Sequence, residues 1–433
     1  MTSIQDLYEI FRKHSSISTD SRSVLPGSVF FALKGPAFNG NTFAALAIEK
    51  GAAFAVVDEK KYKVNDRCLL VEDVLASLQQ LANHHRQHLK IPFLAITGSN
   101  GKTTTKELIR NVLSKKFRTV ATKGNLNNHI GVPLTILSIP MDTEFAVVEM
   151  GANHIGEINS YCRIAEPDFG LITNVGKAHL EGFGGFEGVK KGKGELYAWI
   201  AEHGKGIFMH GDNDFLKSMA TEHKIHNIVS YGREHGYFCE GELLQEQPFL
   251  KVNWKCGSHS GEIETQIVGA YNFENILSAI CVGNFFEITE DDINEAIASY
   301  QPDNSRSQVI KKGSNTIILD AYNANPTSME AALNNFEKIP EKRKIVFLGD
   351  MAELGEESIE EHKRISEMLP GRNYEKIILV GKNFGEFAGY VNGMHFDDSV
   401  KASEWLKKHP LENSLILIKG SRSTKMEVLL QSL

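Results

Sequence analysis

Two hydrophobic rhythms alternate along the chain. Short apolar runs rich in β-branched and aromatic residues, at 29–33, 53–58 and 68–71, are separated by stretches of helical periodicity such as 42–50, which Gly51 closes. This alternation predicts a small α/β unit over residues 1–85. A helix over 74–89 leads out of it, and Ile91-Pro92 reads as an extended entry to the next strand.

From 86 to 300 one pattern repeats: a buried run that ends at a polar residue or glycine. Residues 93–97 run into a glycine loop, 145–149 into Met150-Gly-Ala-Asn-His154, and 169–174 into Val175-Gly-Lys-Ala-His179. Ligands of open parallel sheets bind beyond the carboxyl ends of the strands, so these three ends are expected to face one site. Strict alternation over 236–268, with turns at Gly257 and Gly261, predicts an antiparallel meander on the sheet edge. A third unit, 301–433, begins after Gln301-Pro-Asp-Asn304 and has strands expected at 316–320, 344–349, 376–381 and 415–420, again parallel and doubly wound. No short-period repeat suggests a solenoid.

Length agrees with three domains, because 433 residues exceed what one core holds. A formal charge of -7 argues against sequence-independent nucleic-acid binding. No apolar run reaches the roughly 20 residues a bilayer span needs, and the charged N-terminal stretch lacks a signal peptide's apolar segment, so a cytoplasmic protein is expected. Five scattered cysteines without a Cys-x-x-Cys pair predict neither a disulfide framework nor a thiolate metal site. His84 and His88 have the i, i+4 spacing of a metal pair, but polar neighbours and the lack of a third ligand favour a solvated helix face.

The chemistry concentrates at Gly98, Ser99, Asn100, Gly101, Lys102, Thr103 and Thr104, between a buried strand and a helix expected over 106–116. Glycines let backbone N–H groups turn toward phosphate oxygens, Lys102 reaches the terminal phosphates, and the Thr103 hydroxyl suits Mg²⁺. Ile96 stands where the usual first glycine falls, so the loop is a shortened variant. Glu149, at a neighbouring strand end with Asn153 and His154 beyond it, suits a metal carboxylate; His179 follows a third strand end. Lys190, Lys191 and Lys193, taken alone, read as a solvated lysine run.

These pieces occur in a fixed order with Asn125-Leu-Asn-Asn-His-Ile-Gly-Val-Pro133, Lys193-Gly-Glu-Leu-Tyr197, Asp320-Ala-Tyr-Asn-Ala-Asn-Pro326 and Lys419-Gly-Ser-Arg422. Together they resemble the Mur ligase superfamily over all three units. The resemblance implies a UDP-substrate domain, a central P-loop ATPase-like domain and a C-terminal Rossmann-like domain. The 349–355 and 419–427 segments are similar to those of the branch that adds D-alanyl-D-alanine to UDP-N-acetylmuramoyl-tripeptide in peptidoglycan precursor synthesis.

The resemblance also implies roles. Lys102 and Thr103 match triphosphate and magnesium residues, Glu149 and His179 match ligands of two Mg²⁺ ions, and Lys193 matches a lysine carbamylated by CO₂ to become an oxygen ligand. Asn272 and Asn275 match adenine-side amides, while Arg306 and Asp320 match phosphate and ribose contacts. Ser21 and Arg22 resemble the UDP-binding end, and Asn127, Asn128, Asn323 and Asn325 fall in substrate-side motifs. By its charge and strand-end position alone, Arg422 is a candidate for the dipeptide carboxylate. The segment 38–43 departs from the family's Asp-Gly-His pattern. The implied reaction runs through an acyl phosphate and requires closure of the third domain on a monomer. A folylpolyglutamate synthetase-like ligase and a non-enzymatic nucleotide-gated module are the alternatives.

Overall fold

The computed structural model describes residues 1–303 and 305–433, so the last residue of the expected linker, Asn304, lies outside the described residues. Three main sheets carry the chain. The first is parallel throughout, in the order Ile17–Ser18, Val29–Phe31, Phe54–Val57, Cys68–Leu70. The helix that leaves it, Val74–His88, starts where the Asp73 carboxylate accepts the Ala76 N–H. Its buried stripe of Leu78, Leu81 and Ala82 joins Leu7 and Phe11 on one side to Val132 and Ile136 on the other in one hydrophobic cluster. The first two units therefore share a core. The expectation of a solvated histidine face holds only in part: His88 is exposed, but both its ring and that of the half-buried His84 pack on Tyr8, 4.7 and 4.6 Å between centroids.

The central sheet has nine strands in the order His259–Glu264, Lys251–Cys256, Cys239–Gln245, Ile228–Gly232, Gly206–His210, Phe169–Ile172, Phe93–Thr97, Phe145–Glu149, Thr119–Ala121. Pairing is parallel from Thr119–Ala121 as far as Cys239–Gln245, and antiparallel through the last two strands, which form the expected edge meander. Phe93 and Ala95 belong to one hydrophobic cluster, Leu94 and Ile96 to the other, as a strand of period two must place them between two helical layers. One sequence expectation fails here. Cys239 and Cys256 stand directly opposite across the antiparallel pair and are joined in a disulfide, while Cys68, Cys162 and Cys281 are free and buried. Seventeen residues of separation hid a pairing that the meander's register creates.

In the third sheet the order is Gln308–Lys312, Asn315–Asp320, Leu415–Lys419, Lys344–Gly349, Lys376–Val380, Met394–Phe396. Only the first pair is antiparallel. Asp320, Gly349 and Lys419 thus close three neighbouring strands, and the loops after them reach the crevice of the central sheet. Among the described residues no helix is long and apolar enough to cross a membrane.

Candidate active site

A cleft of about 750 Å³ opens where the central and third units meet, and its walls include the glycine loop. The strand Phe93–Thr97 ends at Gly98 (φ +143°), and Gly101 (φ +80°) starts the helix Lys102–Leu113. Both glycines are needed for space as well as torsion: a Cβ on Gly98 falls 2.0 Å from Thr173 Oγ1, and one on Gly101 falls 2.5 Å from Asn275 Oδ1. The loop rests on the next strand end. Asn100 N–H donates to Asn174 Oδ1 (3.0 Å), Thr173 Oγ1 donates to the Asn100 carbonyl (2.6 Å), and Gly176 N–H donates to Ser99 Oγ (2.9 Å). Lys102 folds over it, its amine donating to the Gly98 carbonyl at 2.6 Å. Its pKa is pushed down to about 8, chiefly by burial; the Glu149 carboxylate opposes this and Arg306 adds to it.

Thr103 and Glu149, assigned to the same metal from sequence, meet directly: Thr103 Oγ1 donates to Glu149 Oε2 at 2.9 Å. Asn127 Nδ2 holds the other carboxylate oxygen at 2.7 Å, and Glu149 is 1% exposed. A fully buried lysine that sequence reasoning passed over, Lys106, lies 3.8 Å from Glu149 Oε2 and donates to the Thr122 carbonyl at 2.5 Å. Its sequence signal is the i, i+4 step from Lys102 onto the buried face of the same helix. Asn128, next to Asn127, does a local job, its Oδ1 accepting Ile130 and Gly131 N–H groups at the start of a helix.

His179 lines the cleft in a left-handed conformation (φ 54°), and its Nδ1 pairs with the Glu353 carboxylate of the third unit. Lys193 is 1% exposed on the helix Phe186–His203, whereas Lys191 points outward. The expected run of solvated lysines therefore does not include it. Its amine lies 3.5 Å from the Ala152 carbonyl and 5.2 Å from the Phe183 ring centroid. Burial, and then the charge of Lys102, hold that amine well below the ordinary lysine range, with Glu157 and Glu195 opposing.

Asn272 and Asn275 are both on the cleft wall, but largely engaged with protein: Asn275 Nδ2 donates to Asn272 Oδ1 (2.8 Å), Asn275 Oδ1 accepts from Thr105 Oγ1 (3.0 Å), and Asn272 Nδ2 donates to the Val268 carbonyl (2.9 Å). From the third unit, the Arg306 guanidinium stacks 3.7 Å from the Tyr322 ring centroid, and its buried Nε has no partner. Arg422 approaches the same ring at 5.2 Å. Asp320 is held by Lys419 at 2.5 Å. Asn323 accepts the Ala324 N–H, while Asn325 caps the helix Pro326–Lys338 and donates across to Asn100 Oδ1 at 2.8 Å. With the His179–Glu353 pair, a third bridge joins Lys177 to Glu361 at 2.5 Å, so the third unit is already docked against the glycine loop.

Ser21 and Arg22 stand apart from this cleft; Arg22 is paired with Asp20 and its side chain is 88% exposed. In the departing 38–43 segment, the fully buried Asn41 binds Asp58 through both the carboxylate and the N–H, which makes it a brace for the first unit.

A strand, a glycine turn and a helix start, with a buried carboxylate beside the loop hydroxyl and a second domain closing from above, define an enzyme that works on a nucleoside triphosphate. Family models match in three consecutive stretches: "Mur ligase family, catalytic domain" over 13–86, "Mur ligase middle domain" over 96–283 and "Mur ligase, glutamate ligase domain" over 305–422. The chain is 34% identical over 431 residues to the UDP-N-acetylmuramoyl-tripeptide--D-alanyl-D-alanine ligase of Bacillus subtilis, covering 96% of this chain and 92% of that one. Among solved structures it resembles MurF from Acinetobacter baumannii (TM-score 0.85, 31% identity, 96% and 92% covered) and MurF from Thermotoga maritima in complex with ADP (TM-score 0.83, 28% identity, 96% of each). The chain belongs to the Mur ligase family. It is an ATP-dependent ligase that forms amide bonds.

Proposed function

We propose that this chain joins D-alanyl-D-alanine to UDP-N-acetylmuramoyl-tripeptide in peptidoglycan precursor synthesis, acting in the cytoplasm as a monomer. The observation that carries this is the length of the likeness: it spans 96% of the chain and 92% of the Bacillus subtilis ligase, third-domain loops included. The working domains are residues 1–85 for the UDP substrate, 86–300 for ATP and 301–433 for closure.

The tripeptide's terminal carboxylate attacks the γ-phosphorus of ATP, and ADP leaves; the dipeptide amine then displaces phosphate from the acyl phosphate. Both steps bring anions together, so the protein's task is neutralisation and alignment. Lys102 and the N–H groups of 98–104 receive the triphosphate, and Arg306 brings an uncommitted donor to it. A hydroxyl and a buried carboxylate are hard oxygen donors, so Thr103 and Glu149 fit one Mg²⁺, and His179 fits a second. Magnesium supplies charge neutralisation at the transferring phosphoryl group. Lys193 fits carbamylation because its depressed pKa leaves an amine lone pair free to attack CO₂, with loss of a proton, and the resulting oxygen anion suits the second ion.

The test is phosphate release with ATP, UDP-tripeptide and D-alanyl-D-alanine, each omitted in turn. Release is expected only with all three. Turnover that ignores the dipeptide, or that accepts glutamate in its place, overturns the assignment.

A further inference from the structure

We infer that the edge meander is the seat on which the third unit turns, with Gln247 at its tip a positioning residue that sets where Asn325 and Arg306 arrive over the glycine loop. This rests on the reading of residues 301–433 as a closing unit, and it gives a role to residues outside the cleft.

The link is the helix Pro326–Lys338, which at 1.5 Å per residue is about 20 Å long. At its start, Asn325 donates to Asn100 Oδ1 (2.8 Å) and Thr327 Oγ1 accepts the Lys177 N–H (3.3 Å). At its far end, Asn335 Oδ1 accepts from Gln247 Nε2 (3.1 Å) and Lys338 pairs with Glu246 (2.9 Å). Glu246 and Gln247 lie in the turn between the strands Cys239–Gln245 and Lys251–Cys256. One helix therefore rests on the glycine loop at one end and on the meander at the other.

The meander is built to present that turn. Leu243 pairs with Val252 and Gln245 with Lys251, so Leu244 is an extra residue, a bulge that bends the strand just before the tip. The turn is held from behind: the Leu250 N–H donates to the Ile267 carbonyl (2.9 Å), and the Leu250 carbonyl accepts the N–H and the hydroxyl of Thr265 (3.0 and 2.9 Å). The linker begins at the same corner, where Gln301 Nε2 donates to Gln266 Oε1 (2.7 Å). Chain connection and helix seat thus lie together on one edge of the central unit.

The two ends of the helix differ in kind. Asn100 and Thr327 line the cleft, and polar contacts there are exchanged for water when the units part. Near the tip, Phe249 packs against the same continuous hydrophobic cluster as Met329, Ala332, Leu333 and Phe336, and apolar contact has no directional demand, so it survives a rotation. Asn335 is 7% exposed, and the buried Gln247 Oε1 has no partner among the described residues. Packing alone is served as well by two apolar residues, so the amide pair fixes a position. A rotation of about 10° about the tip carries Asn325 about 3 Å, enough to break its bond to Asn100 while the tip contact holds.

The experiment pins each end of the helix in turn. Glu246→Cys with Lys338→Cys, and Lys177→Cys with Glu361→Cys, are each joined by a short bis-maleimide, which spares the native cysteines because three are buried and two are paired. Each variant is compared with itself before joining. The pin at the meander is expected to leave most of the turnover, and the pin across the cleft to remove nearly all of it, since product cannot leave a closed site. Gln247→Ala should raise the KM for ATP about fivefold, the loss of one hydrogen bond read as a smaller docked population, with kcat changed less. Two pins that both stop turnover, two that both spare it, or a Gln247→Ala enzyme with the wild-type KM for ATP overturn the inference. Failure of the ligase reading looks different: wild type then shows no dipeptide-dependent turnover. Small-angle scattering still decides in that case, because the meander-pinned form should change its profile on adding ATP and the cleft-pinned form should not; a meander pin that abolishes the change overturns the inference.

Discussion

Replacing Gly98 by alanine measures how tightly the nucleotide loop is built. The new Cβ falls 2.0 Å from Thr173 Oγ1, and 3.1 and 3.2 Å from the backbone nitrogens of Thr173 and Asn174. The torsion of +143° alone costs a side-chain-bearing residue about 1–3 kcal/mol. Thr173 cannot swing away freely, because its hydroxyl donates to the Asn100 carbonyl, and losing that bond adds about 1 kcal/mol. Gly98→Ala should therefore destabilise the central unit by about 2–4 kcal/mol in urea unfolding. It should also weaken ATP in calorimetric titration, since relief can come only by moving the loop. Removing the hydroxyl as well, in Gly98→Ala with Thr173→Ala, should return the collision part but not the torsional part. A single variant as stable as wild type, with its ATP Kd unchanged, refutes this account of the loop.

Three further outcomes are expected. Lys102→Ala should keep the fold by circular dichroism yet lose about 10²-fold or more in turnover, as a phosphate contact should; near-normal kcat removes Lys102 from the triphosphate. Lys193→Ala should be nearly inactive and regain part of its rate in high chloride or bicarbonate, while Lys191→Ala, altering an exposed side chain, should retain most activity; two active variants end the carbamate assignment. Lys106→Met should lower the melting temperature, because it leaves the Thr122 carbonyl unsatisfied and takes from beside Glu149 a buried cation that Glu107 also pairs at 2.9 Å, and should raise the Mg²⁺ concentration needed for half-maximal rate; a purely structural lysine shifts only the first.

The strands most legible in the sequence are those buried on both faces, since Phe93–Thr97 and Phe145–Glu149 are apolar up to their last residue. Edge elements were harder. Thr119–Ala121 has three residues, two of them half-buried, and Gln308–Lys312 is half-exposed along its length. The helix expected from 106 begins at Lys102, because the left-handed Gly101 can start a helix through Thr103 to Thr105, residues whose own propensity is poor. Within the site, Lys193 was separable from its neighbours by period alone: Val189, Lys193, Leu196, Tyr197 and Ile200 form one buried stripe. What no local pattern carries is contact between units, such as Asn100 with Asn325 across 225 positions, or His179 with Glu353.

That Asn100 contact has a pharmacological consequence. The Asn100 backbone is bound below by Thr173 and Asn174 and its side-chain oxygen above by Asn325, so one residue joins the floor of the nucleotide site to the helix that roofs it. A small molecule wedged between Asn100 and Asn325 leaves the triphosphate cradle intact and keeps its roof off. Such a compound inhibits from outside the cradle, and ATP opposes it only as far as Arg306 of the third unit ties the triphosphate to the closed arrangement.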